Sequence, residues 1–307
     1  MDIDRVGIHE SVSVVFPPEQ LQDELSSVDA EVSVVGDDVA DLDALVTFDY
    51  EPSFLDGPGW IHSIQAGYDK FPLDELDARD VVLTNSSGIH GPGVGETGVG
   101  LMLMLARNLH TYVRNQENHE WDRPTWDRPF TLAGKQLCVV GLGTLGQGIA
   151  TRADAIGMDV SGVRTTPTLV PGVSEVYTPD RLHEAVADAD FVAVTVPLTE
   201  ETEGMFGPEE FAAMRDDAYF VNVARGKVVQ EDALVEALET GGLAGAALDV
   251  FEEEPLPADS PLWDMEEVIV TPHASAATVD YYRNIANLVR RNVDLAREDG
   301  AFVNRIV

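Results

Sequence analysis

The hydrophobic pattern of this chain changes its rhythm about a third of the way along. From residue 1 to about residue 90, short apolar runs alternate with polar turns: RVGI, VSVV, DALVTF, WIHSI and VVLTN. Their length and β-branched content predict strands, and PPEQLQDELSS between the first two predicts a helix. Together they describe a small domain rich in β-α-β units. From Gly93 to about Asn118, GVGETGVGLMLMLARNLHTYVRNQEN predicts one long helix. Its apolar centre and small residues imply deep packing. EWDRPTWDRPFTLAGK then reads as a loop, because Pro124 and Pro129 interrupt any regular element.

After that loop the strands become near-continuous apolar runs: LCVVG, DVSGV, a short SEVY, FVAVTV, YFVNVA, AALDV and VIVTP. Strands buried on both faces of a parallel sheet look like this. Helical stretches such as LGQGIATRADAI, PDRLHEAVAD and QEDALVEALE lie between several of them. The alternation predicts a doubly wound α/β domain. A last helical pattern runs from Asp280 to Asp299, and the closing AFVNRIV is expected to return to the first domain. The expected division is a discontinuous domain of residues 1–92 and 280–307 and a second domain of residues 93–279, with two crossings between them.

Bulk composition narrows the function classes. At 307 residues the chain can form two cores. Its formal net charge is −36, and Lys70, Lys135 and Lys227 are the only lysines. Small domains ordinarily carry a charge of magnitude roughly 2–8. The acidic residues are spread along the chain, as on a solvated surface, and argue against a nucleic-acid partner. Self-repulsion of this size is screened at molar salt, where the Debye length is about 3 Å. The surface therefore reads as halophilic, adapted to a very salty cytoplasm. MDIDRVGIHE lacks the apolar block of a secretory signal, and the apolar run Val99–Ala106 is too short to span a bilayer. The expectation is a soluble, cytoplasmic protein with no membrane partner. Cys138 is the single cysteine, so no internal disulfide forms, and it reads as a small core residue. The seven histidines are scattered, and no metal site is expected.

Chemistry enters with VVGLGTLGQGIA. Gly141, Gly143 and Gly146 stand in G-x-G-x-x-G spacing after a strand and at the opening of a helix. The first glycine permits the tight turn, the second lets backbone approach a pyrophosphate, and the third lets helix and strand pack closely. Backbone N–H groups near Thr144 and Leu145 would face the phosphates, aided by the helix dipole. Three more residues follow strands where a doubly wound sheet places its ligands: Arg225 after YFVNVA, Glu254 beyond AALDV, and His273 after VIVTP. They supply a cation, an acid and a titratable imidazole.

GLGTLG, VNVARGKVVQEDALVEAL, ALDVFEEEPLP and VIVTPHASA resemble the D-isomer-specific 2-hydroxyacid dehydrogenases, and SIQAGYD with TNSSGIHGPGVGE extends the resemblance into the first domain. The resemblance implies a Rossmann dinucleotide-binding domain inserted into a smaller, flavodoxin-like substrate domain. It implies a homodimer with the helix near residues 93–116 at the interface. It also assigns roles. Arg225 would hold the substrate carboxylate and polarise the keto oxygen, His273 would be the acid in reduction and the base in oxidation, and Glu254 would orient the imidazole. Physical chemistry supports these roles, since a guanidinium forks onto carboxylates and an imidazole is accessible in both protonation states. The amides of Ala66 and Gly67 would bind the substrate carboxylate. Asp249 would fix the nicotinamide carboxamide, and Val196, Pro197, Ala224 and Ser275 complete the implied cofactor set. Many relatives have Gly where Gln65 stands. Tyr68, His90 and a tryptophan are expected at the side-chain pocket, with Trp121 or Trp126 a candidate to reach a neighbouring subunit. At 307 residues, the chain is expected to lack the appended regulatory domain of many phosphoglycerate dehydrogenases.

The strand DVSGV ends in Arg164, where an acidic residue would accept hydrogen bonds from the adenosine ribose hydroxyls. Arg164 offers paired donors and positive charge to a 2′-phosphate, and Thr165 and Thr166 add donors. NADP(H) is therefore the expected cofactor, with NAD(H) tolerated. The expected reaction is hydride transfer to a small 2-keto acid, giving a D-2-hydroxy acid. A dinucleotide-sensing binding protein on the same fold is the non-enzymatic alternative. Formate dehydrogenase is a third, disfavoured because that chemistry resembles a Gln–His pairing and Glu254 is ionisable.

Overall fold

The computed structural model describes residues 1–298 and 300–307. Asp299, the end of the expected last helix, lies outside the described residues. The chain separates into two compact units, Met1–His90 with Ala277–Val307 and Gly91–Ala276.

The first unit carries five parallel strands, β1 (Arg5–His9), β2 (Glu31–Val35), β3 (Ala44–Thr47), β4 (Trp60–Ser63) and β5 (Val82–Thr84), with helices α1 (Pro18–Glu24) and α2 (Leu73–Ala78). The strand order is β2-β1-β3-β4-β5, the flavodoxin-like arrangement. Side chains of β3 show why the sheet needs cover on both faces. Ala44 and Val46 enter one core cluster with Ile8, Leu21 and Ile285, and Leu45 enters another with Phe54, Ile61 and Leu83. The tail returns as expected: Ile306 N–H donates to Leu83 O at 2.8 Å, and Leu83 N–H donates to Val307 O at 3.3 Å. That pairing covers the open edge of β5.

The second unit begins with α3 (Gly91–Ala106) and α4 (Leu109–Glu117). It continues through β6 (Gln136–Val140), α5 (Thr144–Ala155), β7 (Asp159–Val163), β8 (Glu175–Tyr177), α6 (Leu182–Val186), β9 (Phe191–Val194) and α7 (Pro208–Ala213). It closes with β10 (Tyr219–Asn222), α8 (Glu231–Glu239), β11 (Gly245–Leu248) and β12 (Val268–Val270). All seven strands are parallel, in the order β12-β11-β10-β9-β6-β7-β8. The order reverses between β6 and β9, and ligands of open α/β sheets bind at such a switch point. The last helix, α9 (Tyr281–Glu298), belongs to the first unit and buries Tyr281, Ile285, Val289, Val293 and Ala296 along one face.

One expectation fails. The stretch from Gly93 to Asn118 is not a single helix. Asn108 sits between α3 and α4 with φ 57°, a left-handed conformation that Asn tolerates better than most residues. The apolar periodicity on either side outweighs this one residue in the sequence. Gly91, Gly95 and Gly98 of α3 serve packing within the unit. A Cβ on Gly95 would stand 2.4 Å from Gly148 O, and one on Gly148 would stand 2.1 Å from Gly91 O. Helices α3 and α5 therefore meet backbone to backbone.

Candidate active site

The turn from β6 to α5 fits a dinucleotide. Gly141 has φ 102°, and a Cβ there would lie 2.8 Å from Val196 N. A Cβ on Gly146 would lie 1.9 Å from Gly141 O. Both glycines are thus required by close approach. Gly143 differs, since a Cβ there meets no heavy atom within 4 Å. It is the N-cap of α5 and gives that helix no side-chain cap. Open space in front of uncapped N–H groups, at the positive end of a helix dipole, matches a pyrophosphate. Thr144 and Leu145 form the first turn beyond it.

Around this turn lie the other expected cofactor residues. Val163, the last residue of β7, pairs with Tyr177, and Arg164 N–H donates to Tyr177 O at 3.0 Å. The Arg164 side chain is half-buried, and Thr165 and Thr166 are exposed. Val196 and Pro197 form the loop after β9, where Pro197 O accepts from Thr202 Oγ1 at 2.6 Å.

Beyond β10, Asn222 and Gly226, both within the VNVARG stretch, shape the turn that carries Arg225. Buried Asn222 accepts from Ala224 N–H at 3.0 Å and donates to Arg225 O at 3.2 Å. A Cβ on Gly226 would fall 1.8 Å from Phe251 C, so this turn lies directly against the backbone leading to Glu254. Arg225 Nη1 donates to Ala224 O at 2.8 Å.

His273 Nδ1 meets Glu254 Oε2 at 2.7 Å, while Glu254 Oε1 accepts from Phe251 N–H at 3.1 Å. Burial pushes the Glu254 carboxyl up. The hydrogen bond and charge of His273, the Phe251 N–H and the Arg225 charge outweigh it, and the net shift is below the usual glutamate value. An ionised Glu254 is an acceptor only, so Nδ1 carries a proton and Nε2 is the ring atom left for chemistry.

His273 itself has φ 49°, a conformation that costs of order 1–3 kcal/mol for a non-glycine residue. Asp249, fully buried, maintains it. Asp249 Oδ1 accepts from Thr271 Oγ1 at 2.6 Å and from Ala274 N–H at 3.0 Å, Oδ2 accepts from Ser275 N–H at 2.9 Å, and its backbone O accepts from His273 N–H at 2.8 Å. One carboxylate thus gathers the whole turn from Thr271 to Ser275. Sequence reasoning assigned Asp249 a ligand contact and missed this organising role.

In the first unit, Ala66 and Gly67 follow β4 and are half-buried. Gln65 ties their loop to the loop after β3, with Nε2 donating to Phe48 O at 3.0 Å. That bond gives the Gln65 side chain a purpose that glycine could not serve. Tyr68 is partly exposed, but His90 is buried and bonded through Nε2 to Tyr281 OH at 2.7 Å, so it does not line an open pocket. Trp121 and Trp126, in the second unit, are 92% and 95% exposed. Among the described residues there is no cluster of His, Cys, Asp or Glu suited to a metal ion, and no helix long and apolar enough to cross a membrane.

The family model for the NAD-binding domain of D-isomer-specific 2-hydroxyacid dehydrogenases matches residues 99–275. Glyoxylate reductase of Pyrococcus furiosus is 35% identical over 270 residues, which cover 83% of this chain and 79% of that protein. This chain belongs to the D-isomer-specific 2-hydroxyacid dehydrogenases. D-3-phosphoglycerate dehydrogenase of Methanocaldococcus jannaschii is 37% identical over 230 residues, covering 74% of the dehydrogenase described here and 43% of that longer relative. A D-isomer-specific 2-hydroxyacid dehydrogenase of Xanthobacter autotrophicus Py2, solved with NADPH and MES, superposes with a TM-score of 0.81 at 29% identity, over 100% of this chain and 98% of that one. The NADPH-dependent glyoxylate/hydroxypyruvate reductase of Sinorhizobium meliloti, solved with NADP and sulfate, gives 0.84 at 26% identity, over 99% and 98%. The dehydrogenase is an NAD(P)-dependent oxidoreductase of 2-keto acids and D-2-hydroxy acids, built from two parallel-sheet α/β domains with a Rossmann cofactor domain.

Proposed function

We propose that this dehydrogenase reduces a small 2-keto acid of the glyoxylate or hydroxypyruvate class, with NADPH preferred over NADH. The observation that carries the reading is the 2.7 Å pair of His273 and Glu254, on the same sheet edge as Arg225. The nicotinamide, when bound, supplies the hydride. Arg225 polarises the keto oxygen through its fork of donors. His273 delivers a proton from Nε2 to the oxygen as negative charge develops there, and Glu254 stabilises the positive imidazole. The amides of Ala66 and Gly67 hold the substrate carboxylate. In oxidation the same proton returns to His273.

Arg164 supports the cofactor preference. It stands at the end of β7, where a carboxylate would repel a 2′-phosphate, with exposed Thr165 and Thr166 beside it. The test is kcat/KM for NADPH and NADH on wild type and on Arg164→Asp. A charge-assisted hydrogen bond contributes about 1.5–3 kcal/mol, so the NADPH value should fall roughly 10- to 100-fold while the NADH value changes little. A wild-type preference for NADH, or an equal fall in both values, overturns the assignment.

A homodimer in a salty cytoplasm completes the reading. Leu109 and Val113 of α4 are exposed, as are Trp121 and Trp126 of the following loop, and a second copy of the chain would cover them. The net charge of −36 argues for molar salt. Dilution to 0.1 M lengthens the screening distance to about 10 Å and lets the acidic surface repel itself. Sedimentation should show a dimer at molar salt, and the thermal midpoint should fall sharply on dilution. A monomer removes the dimer, and a flat midpoint removes the halophilic reading.

A further inference from the structure

In the first unit, three successive carbonyls are held. Ile64 O accepts from Tyr281 OH at 2.5 Å, Gln65 O accepts from Ser86 N–H at 2.9 Å, and Ala66 O accepts from Asn85 Nδ2 at 2.6 Å. A trans peptide is planar, and its N–H points opposite to its C=O. Holding Gln65 O therefore turns Ala66 N–H to the other side, and holding Ala66 O does the same to Gly67 N–H. The amide before them, Gln65 N–H, is turned back onto Ser63 Oγ at 3.2 Å. Two adjacent amides are thus presented together by what grips their carbonyls. Consecutive N–H groups of this kind form an anion-binding concavity.

The grip on Ile64 has its own support. The Tyr281 hydroxyl has one hydrogen and gives it to Ile64 O, since a carbonyl can only accept. Its bond to His90 Nε2 must then run from the imidazole N–H to the phenol oxygen. Burial pushes the Tyr281 phenol well above its ordinary value, so the donor stays protonated. Asn85 is fixed in turn. Its Oδ1 accepts from Ser87 N–H at 3.2 Å, and its backbone O accepts from Asn304 Nδ2 at 3.1 Å. Asn304 comes from the returning tail, and Tyr281 from the first turn of α9. The chain's last segment therefore braces a loop near residue 65.

We propose that Asn85, which aims the Gly67 amide by gripping Ala66 O, and Tyr281, which is set by His90 and anchors the entry of the same loop by gripping Ile64 O, are positioning residues for the substrate carboxylate. The proposal rests on the reading that these two amides bind the carboxylate. It makes recognition of the carboxylate dependent on a tyrosine, a histidine and an asparagine that act only through the loop backbone.

The test uses the full-length enzyme with Tyr281→Phe and Asn85→Asp, each removing one donor at nearly constant volume. KM for glyoxylate and the inhibition constant of oxamate should rise about tenfold, while kcat at saturation and KM for NADPH change less than about threefold. His90→Phe should raise the same two constants alone and add nothing in the Tyr281→Phe background, because it acts through that hydroxyl. His90→Gln, which keeps an N–H donor, should recover part of the loss. Unchanged oxamate inhibition in both Tyr281→Phe and Asn85→Asp overturns the proposal, as does additivity of the His90 and Tyr281 changes. Gly67→Pro, which deletes one amide hydrogen, separates the two levels. If it leaves KM for glyoxylate unchanged, the carboxylate reading itself falls. If it raises KM while Tyr281→Phe does not, only the positioning role falls.

Discussion

The turn after β12 and the loop after β4 reach their purpose by opposite means. After β12, side chains define the arrangement: His273 is paired with Glu254, and the buried Asp249 carboxylate gathers the backbone that presents it. After β4, the backbone is what is held: Tyr281 of α9 grips Ile64 O, and Asn85, just past β5 and itself held by Asn304 of the tail, grips Ala66 O. A side-chain site announces itself by residue type. A backbone site is defined by its surroundings, which are distant in sequence.

The largest effect expected from this contrast is at the side-chain site. His273→Ala and Arg225→Ala should each reduce kcat by roughly 10²–10⁴-fold, the usual loss for a positioned acid, while NADPH binding measured by fluorescence persists. Near wild-type kcat in either variant would mean that the chemistry resides elsewhere. A smaller effect separates charge from position. Glu254→Gln keeps a hydrogen-bonding partner for His273 but removes the negative charge that favours a positive imidazole. The alkaline limb of keto-acid reduction should move toward acid. An unmoved limb would leave Glu254 a purely geometric role.

The smallest effect is on stability and belongs to the first unit. His62 lies buried between Thr84 Oγ1 at 2.8 Å and Ser86 Oγ at 3.1 Å, and burial pulls its pKa from 6.5 down to about 3. The folded chain keeps this ring neutral, whereas the unfolded chain protonates it near 6.5. Its contribution is present above 6.5 and is lost as pH falls toward 3. Between pH 7 and pH 5 the loss is about 2 kcal/mol. Urea unfolding should show that slope in wild type and a shallower one in His62→Gln. Equal slopes would place the acid sensitivity in other groups.

Much of this was legible in the chain. The apolar strand runs of the second unit, the G-x-G-x-x-G turn and the short motifs around Arg225, Glu254 and His273 are all local signals, each complete within a dozen residues. Asn108 was legible too, but a single left-handed residue is a weak signal beside long apolar periodicity, and one helix was expected where two form. His90 was expected near a pocket because histidines attract functional readings. Its partner Tyr281 lies 191 residues away, and no local pattern pairs them.

By itself the sequence determined the fold class, the family and the glycine-rich turn, because hydrophobic period, glycine spacing and residue chemistry are properties of short stretches. Tertiary structure alone decided that Asp249 shapes the His273 turn, that Gly226 lies against Phe251, and that the carbonyls of Ile64, Gln65 and Ala66 are each held. Those arrangements depend on hydrogen-bond directions and close approaches between segments far apart in the chain. Such distances come into being only when the core closes.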